Sequence, residues 1–431
     1  MKSYRQIDGY YIKEDEEFLI KDIVPDYYID LNIGRNLVDV EYAARFLQNS
    51  LNYLLSSFLN GGFSYKGYML YPFVKGLSRD NLTRIRRLKK VAVLLNNDGY
   101  DFSSSIGKYK DKINSGDFAS ILSALYHDFS LIENRNKIIK KKKCRELNIS
   151  SYKKSDLNYL KPLNELKDYA NKNLKQHLSG FYLHGSLSTR DYMKGWSDVD
   201  TLSVISRKAI DDPDALLSLR DRLYFIRHFF YKIDPLQHHG SAVISEYDLG
   251  NYCQAYFPIK IFEYSKSFFK DDAISKLVVR DFSSEALKNL FWFVNYFRKL
   301  KIEKRFRLGS YESKALLHSI TLFPTLYLQS KGILTYKKFS FGIAKRDFIK
   351  SDWEVIEKAS SIRSNWKSFG IVPLITPASR INPLLCYQLN SRLMDIFNKP
   401  NKVGCQGLIE NMLRLSEKAW GKVKENAKRK I

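Results

Sequence analysis

"LHGSLSTRDYMKGWSDVDTLSVI", residues 183–205, contains a Gly-Ser pair and, after eleven intervening residues, an Asp-Val-Asp triplet. Asp198 and Asp200 stand in an otherwise apolar run that predicts a strand, and residues two apart on a strand face the same side. Two carboxylates on one buried face are destabilising unless they are protonated or bridged by cations. The pattern therefore predicts a positively charged group between these two acids.

The Gly-Ser pair suggests what this site would bind. Gly185 allows the backbone to approach a ligand closely, and Ser186 would open a short helix whose hydroxyl and amides can meet a phosphate. Mg²⁺ binds carboxylates together with the phosphate oxygens of a substrate. A pair of Mg²⁺ ions at Asp198 and Asp200 would support in-line displacement at phosphorus.

This motif resembles the signature of the DNA polymerase beta-like nucleotidyltransferase superfamily, and most closely its minimal and aminoglycoside nucleotidyltransferase-like branch. The resemblance rests on Gly185, Ser186, the eleven-residue gap and the two acids, with Ser197 directly before the first acid. It covers about residues 160–265. It implies that the Gly-Ser pair holds a nucleoside triphosphate, with ATP as the expected donor. It also implies that both acids and a third acid on a later strand bind two Mg²⁺ ions.

Three residues are candidates for the third acid. Asp234 in "FYKIDPLQHHG" follows the helix that begins at Pro213, on an expected strand. Pro235, directly after it, is typical of a strand end or edge. Glu246 in "SAVISEYD" is the alternative, and Asp248 is the third candidate.

Histidines and lysines near the motif are further candidates. His238 and His239 could assist proton transfer or hold phosphate, or they could satisfy backbone groups at a strand turn. We expect a structural role for His184. In larger members of the superfamily a helical domain lends cations to the triphosphate, which makes candidates of the lysines in "SKALLHSITLFPTLYLQSKGILTYKK", namely Lys314, Lys337 and Lys338.

The pattern along the chain predicts an α+β fold. Residues 1–150 are expected to be mainly helical, residues 151–275 alternate strand and helix as a small nucleotidyltransferase core, and residues 276–431 are again helical. Strands are expected at "GFYLHGS", "DVDTLSVIS", "YKIDPLQ" and "SAVISEY". The core should therefore have a helical domain on each side.

Composition limits the partners and the compartment. The net charge of +25 favours a polyanionic partner, so a nucleic acid is one candidate acceptor. The four scattered cysteines argue against a zinc site or a disulfide framework, and the sequence has no apolar run of the roughly 18 residues that a membrane span needs. We expect a cytoplasmic protein.

The expected reaction is transfer of a nucleoside monophosphate from a nucleoside triphosphate to an acceptor hydroxyl, with release of pyrophosphate. The same superfamily also contains RNA-tailing, cyclic-nucleotide-forming and protein-nucleotidylating enzymes. A nucleic-acid-binding protein with a catalytically retired core and a metal-dependent phosphohydrolase are the alternatives outside this activity. The sequence identifies neither the acceptor nor the preferred base.

Overall fold

A computed structural model describes residues 4–35, 37–60, 77, 79–110, 112–132, 139–237, 239–270, 273–366 and 404–429 of the chain. Its strands within these ranges are β1 (Arg5–Ile7), β2 (Tyr10–Ile12), β3 (Ile139–Lys143), β4 (Arg145–Glu146), β5 (Leu178–His184), β6 (Asp200–Ile205), β7 (Ala242–Ser245), β8 (Lys266–Ser267) and β9 (Ala273–Val278). They form a five-stranded sheet in the order β4-β8-β5-β6-β7 and the two-stranded pairs β1-β2 and β3-β9.

Helices account for most of the remaining described residues. They are α1 (Ile20–Ile23), α2 (Pro25–Asn32), α3 (Val40–Leu59), α4 (Arg79–Asn97), α5 (Ser103–Gly107), α6 (Ser115–Ser130), α7 (Leu157–Asn173), α8 (Gly185–Thr189), α9 (Arg207–Ile210), α10 (Pro213–Ile233), α11 (Ile259–Phe262), α12 (Ser283–Ile302), α13 (Ser310–Ser330), α14 (Lys337–Lys345), α15 (Lys350–Ser364) and α16 (Cys405–Lys428). The fold is therefore α+β. No described helix is long and apolar enough to cross a membrane.

The centre of the sheet brings the two halves of the 183–205 motif together. Strands β5 and β6 are antiparallel, and their register pairs His184 with Asp200. Because α8 begins at Gly185, directly after β5, the Gly-Ser turn lies beside the first residue of β6. Strand β7 then pairs in parallel with β6 after the crossover helix α10. The side chain of Asn60, at the end of α3, donates to the Ser241 carbonyl at 2.8 Å beside β7.

Three hydrophobic cores hold these elements. The largest packs α3, α4 and α6 with α7, α10 and one face of the sheet. A second joins apolar residues of segment 7–24 to the C-terminal helices α12, α13, α15 and α16. A third lies on the opposite face of the sheet and contains Tyr182, Leu202 and Ile244. The N-terminal region thus contributes side chains to two cores, and the domain boundaries near 150 and 275 stay predictions.

The expected strand at "YKIDPLQ" is wrong. Helix α10 continues through Ile233, and Asp234 is its C-terminal cap with extended backbone angles. Phe229, Phe230 and Ile233 are buried, so the helical apolar spacing extends to the end of α10. Pro235 disfavours the helical conformation at the preceding residue, and this explains why the helix ends there.

Candidate active site

Asp198, Asp200 and His239 converge at the start of β6. The Nε2 atom of His239 lies 3.1 Å from Asp198 Oδ2 and 3.4 Å from Asp200 Oδ1. The strand begins at Asp200, so Asp198 belongs to the segment that leads into it. The side chain of Asp198 is 9% exposed, whereas those of Asp200 and His239 are 28% and 33% exposed. The positive group between the two acids in this structure is therefore an imidazole that reaches solvent.

The charges of this trio are strongly coupled. Burial and then the negative charge of Asp198 raise the pKa of Asp200 to about 7. Burial would also raise the pKa of Asp198, but His318, His239 and Lys314 together hold it well below its ordinary value. Burial disfavours the imidazolium of His239, yet the two carboxylates outweigh it and raise its pKa to about 9. Each of these three side chains therefore has its pKa changed by at least one of the other two.

The same three side chains could hold a metal ion. One ligand atom from each of Asp198, Asp200 and His239 lies within 4.8 Å of the other two. Two carboxylate oxygens and one imidazole nitrogen are a common donor set for a divalent cation. A bound cation would replace the positive charge that the imidazolium now provides between the acids.

Gly185 is required at its position for two reasons. Its φ is +69°, in the left-handed region that L side chains rarely adopt. A Cβ atom there would also lie 2.1 Å from Asp200 Oδ2. The Gly-Ser turn therefore lies directly against the Asp200 carboxylate.

Ser186 and Ser197 lie together beside this turn. The Ser186 hydroxyl donates to Ser197 Oγ at 3.0 Å, and Ser197 Oγ accepts from the Met193 amide at 2.9 Å. Ser197 is 4% exposed. The structure thus brings together the four residues Gly185, Ser186, Asp198 and Asp200, with Ser197 behind them.

Asp234, the preferred third acid, is already paired with a cation. Its Oδ2 accepts from Lys314 Nζ at 2.5 Å, and both side chains are almost fully buried. Burial raises its pKa, while Lys314 opposes that shift and the charge of Asp198 adds to it. Because the charge of Asp198 affects the pKa of Asp234, the two carboxylates lie on the same side of the core. In this structure Lys314 neutralises the Asp234 carboxylate. The role of Asp234 as a metal ligand stays a prediction.

Glu246 and Asp248 lie away from the pair. The Glu246 amide donates to the Ile205 carbonyl, at the opposite end of β6 from Asp200, and this is about 16 Å along the strand. Its carboxylate accepts from the Arg207 amide at 2.7 Å. Asp248 is buried and accepts from the amide and hydroxyl of Ser245. Strand β7 itself, "AVIS", carries no acid.

The lysine candidates differ in their surroundings. Lys314 is committed to Asp234, and the exposed Lys338 lies 3.3 Å from Asp191. Burial and then the charge of Arg363 lower the pKa of Lys337, and the nearby charges of Asp198 and Asp200 oppose this shift only in part. Within the described ranges neither Lys337 nor Arg363 has an ion pair, and Arg363 Nε is buried without a hydrogen-bond partner. The positive charges of these two side chains are therefore not neutralised by an ion pair among the described residues.

Two residues near the site were missed by sequence reasoning. Arg363 lies on α15, more than 160 positions from Asp198, and no spacing connects the two. His318 stacks on Trp196, with ring centroids 4.8 Å apart, directly before Ser197. His318 follows Lys314 by four positions on α13, and this i, i+4 spacing could have indicated a shared helix face.

His184 and His238 are the other two histidines that the sequence placed near the motif. Burial lowers the pKa of His184 to about 3, and its ring packs edge-on against Phe257. It is therefore a neutral residue beside the site. His238 lies outside the described residues.

A cavity of about 500 Å³ opens onto the exposed side of the trio. Asp200 and His239 line one wall, and Tyr53 and Ser56 of α3 line the other. Arg227 also lines it, and its Nε is buried with no hydrogen-bond partner among the described residues. The cavity provides space for a substrate group next to Asp200.

Comparison with protein-family models, with curated proteins and with solved structures found no match to this chain.

Proposed function

We propose that this chain is a metal-dependent nucleotidyltransferase of the DNA polymerase beta-like superfamily. It would transfer a nucleoside monophosphate from a nucleoside triphosphate, with ATP as the first candidate, to an acceptor hydroxyl. One observation carries the proposal. The carboxylates of Asp198 and Asp200 converge on the His239 imidazole, at the point where Gly185 touches Asp200. This arrangement favours a site that binds a triphosphate through a divalent cation.

The donor set fits one divalent cation held by Asp198, Asp200 and His239. Such an ion would act as a Lewis acid toward the phosphate oxygens. Two Mg²⁺ ions, expected from the resemblance, would need a further acid. Asp234 could supply it only if its carboxylate exchanged Lys314 for the metal ion. We therefore propose one bound ion, and the second stays an expectation from the resemblance.

The chain's own residues would bind and orient the triphosphate. Ser186 and Ser197 offer hydroxyls on one side of the acid pair. Lys337 of α14 and Arg363 of α15 are near enough to the acid pair to feel its charge, and a bound polyanion would relieve their mutual repulsion. These groups would hold the α-phosphorus in line with an acceptor hydroxyl, and positioning of this kind supplies much of the catalysis in phosphoryl transfer.

The bonds and protons of the reaction balance without a redox partner. The acceptor oxygen forms a bond to the α-phosphorus, the bond from that phosphorus to the bridging oxygen breaks, and pyrophosphate leaves. The acceptor hydroxyl must also lose its proton. Asp200 is the carboxylate that the cavity exposes, and we assign it to receive that proton.

A second function is favoured by a specific observation. Because Asp234 is paired with Lys314 and β7 has no acid, Asp198 and Asp200 are the only carboxylates of the site among the described residues that are available to a metal ion. A nucleotidyltransferase core that has lost turnover would keep this pair for nucleotide or nucleic-acid binding. Metal-dependent nucleotide binding without product would identify such a protein.

The test is a transfer assay with nucleoside triphosphates labelled at the α-phosphate. Each of the four is incubated with purified protein, Mg²⁺ or Mn²⁺, and total RNA, protein or metabolites. We expect label to enter one acceptor fraction, and Asp198→Ala and Asp200→Ala to abolish it. Glu246→Gln is the matched control, because this acid lies at the far end of β6. Full transfer by either alanine variant would refute the assignment.

A further inference from the structure

A second cavity, of about 490 Å³, lies beside the active-site cavity. The two share the wall residues Tyr53, Ser56 and Ala242. Ala242 pairs with Leu202 on β6, two residues and so about 7 Å along the strand from Asp200. A molecule in the second cavity would therefore lie within reach of the acid pair. Its volume is in the usual range of roughly 300–1,000 Å³ for small-molecule sites.

Aromatic rings surround the opening of this cavity. Tyr53, Tyr256 and Trp292 line it, and each is about half exposed, with relative exposures of 51%, 47% and 50%. The Arg84 guanidinium stacks over the Tyr53 ring at 4.3 Å. Large exposed rings gathered around one cavity are well suited to hold a flat ring by stacking.

The polar lining contains groups that are not satisfied by the protein. Glu285 is 4% exposed, and its Oε1 is bound by Arg280 and Asn49. Its Oε2 is buried and accepts no hydrogen bond from any described residue. Lys288, one turn further along α12, has no ion pair in the described part of the chain, and burial lowers its pKa. A buried polar atom without a partner requires an explanation, and a ligand that donates to it is one.

The charged groups of the lining nearly balance one another, unlike those of the whole chain. Five carboxylates line the cavity, from Asp8, Asp22, Asp26, Asp248 and Glu285, against four cations, from Lys21, Arg45, Arg84 and Lys288. The chain as a whole carries a net charge of +25. This lining lacks the excess of positive charge that a nucleic-acid backbone requires, whereas a neutral ring with N–H and O–H donors suits it.

We propose that this aromatic cavity binds the acceptor, and that the acceptor is a nucleoside-type small molecule: a planar heterocycle with N–H donors, joined to a hydroxylated ring. The inference rests on the proposed function, since it assigns the acceptor of that reaction. The heterocycle would stack on Trp292 or Tyr256, its N–H groups would turn to the Glu285 side, and its hydroxyl would pass Ala242 toward Asp200.

The experiment measures equilibrium binding of labelled adenosine, guanosine and cytidine to the full chain without metal or triphosphate. We expect at least one to bind saturably, and Trp292→Ala to weaken it by about fivefold or more. Lys288→Gln should weaken it less, because a neutral ligand does not need the charge. Phe18→Ala is the matched control, an exposed ring that does not line the cavity.

Three results would overturn the inference: no saturable nucleoside binding, unchanged binding by Trp292→Ala, or a single-stranded oligonucleotide that binds more tightly than every nucleoside and depends on Trp292. The Asp200→Asn variant separates this inference from the proposed function. If the native chain binds a nucleoside but transfers from no triphosphate, the proposed function is refuted and the cavity is still a nucleoside-binding site. Transfer to some acceptor that Trp292→Ala leaves unchanged would support the function and refute the cavity.

Discussion

At the scale of single residues, the site depends on a close contact between a glycine and a carboxylate. Gly185 combines a φ of +69° with a position where a Cβ would lie 2.1 Å from Asp200 Oδ2. Gly332 has a similar φ of +76° but open space around it. The two glycines therefore separate the cost of backbone conformation from the cost of crowding the acid pair.

We predict that Gly185→Ala is more damaging than Gly332→Ala. Both variants place alanine in the left-handed region, which costs about 1–2 kcal/mol. Only Gly185→Ala also displaces Asp200, so it alone should abolish divalent-cation binding and transfer. Chemical denaturation and metal titration of both variants check this. Equal metal binding by the two would contradict the assigned contact.

The raised pKa values of Asp200 and His239 give a pH dependence with a definite sign. Folding raises the pKa of Asp200 from 3.8 to about 7 and that of His239 from 6.5 to about 9. The folded state therefore binds protons more tightly, and the stability that these groups contribute is lost as pH rises through these values. Without metal, the free energy of unfolding should fall between about pH 4 and pH 9.

We predict that His239→Gln flattens this decline above pH 6.5, and that a divalent cation does so in the native protein. The slope from one proton is at most about 1.4 kcal/mol per pH unit, and it is smaller here because a third of His239 is exposed. His127→Gln is the control, since this side chain is 62% exposed. Denaturation curves across the pH range give the slopes. An unchanged slope in His239→Gln would count against the pairing.

At the scale of elements, the buried ion pair between Lys314 on α13 and Asp234 after α10 joins a C-terminal helix to the core. Removing one partner of a buried pair leaves an unpaired charge, at a cost of about 3–5 kcal/mol. The same ion pair also allows a test of whether Asp234 is the third metal-binding acid. An Asp234 released from Lys314 either stays unpaired or takes a metal ion.

We predict that Lys314→Ala lowers stability by about 3–5 kcal/mol without metal, whereas Lys338→Ala, in an exposed pair, changes it by about 1 kcal/mol or less. If Asp234 is the third metal ligand, Mg²⁺ or Mn²⁺ should restore much of the loss in Lys314→Ala. Thermal unfolding with and without each ion measures this. A loss that neither ion restores would leave Asp234 as a structural residue.

Local patterns predicted the elements that carry the acid pair. The apolar run after Asp198 predicts β6, and Pro213 marks the beginning of α10 as observed. The sequence pattern failed at Asp234, because the apolar residues before Pro235 fit the last turn of a helix as well as they fit a strand. His239 meets the acids only through the parallel register of β6 and β7, and no local spacing encodes that register. Lys337 and Arg363 approach one another only through tertiary packing.

At the scale of the whole molecule, the N-terminal segment is fastened to the C-terminal helices. Arg298 and Glu16 are both fully buried, with Arg298 Nη2 2.6 Å from Glu16 Oε1. Trp420 Nε1 donates to the same oxygen at 2.8 Å. Lys13 and Arg298 both pair with Glu417 on α16. This network connects residues from the two ends of the described chain.

We predict that Glu16→Gln destabilises the protein by about 3 kcal/mol, near the lower end for a broken buried pair, because Arg298 keeps Glu417. Glu14→Gln, at an exposed position of the same turn, should have little effect. Differential scanning calorimetry of both variants checks the difference. Equal midpoints would mean that the buried network contributes no net stability.

The connection between the ends also sets an order of events during synthesis. Glu16 and Trp420 are 404 positions apart. At a translation rate of about 5–20 residues per second, the interval between their synthesis is roughly 20–80 s. Ile12, Leu19 and Ile23 lack all of the helices that later cover them until α12 is made, and they lack α16 throughout that time. The apolar side chains of this N-terminal segment therefore stay incompletely covered until α16 has left the ribosome.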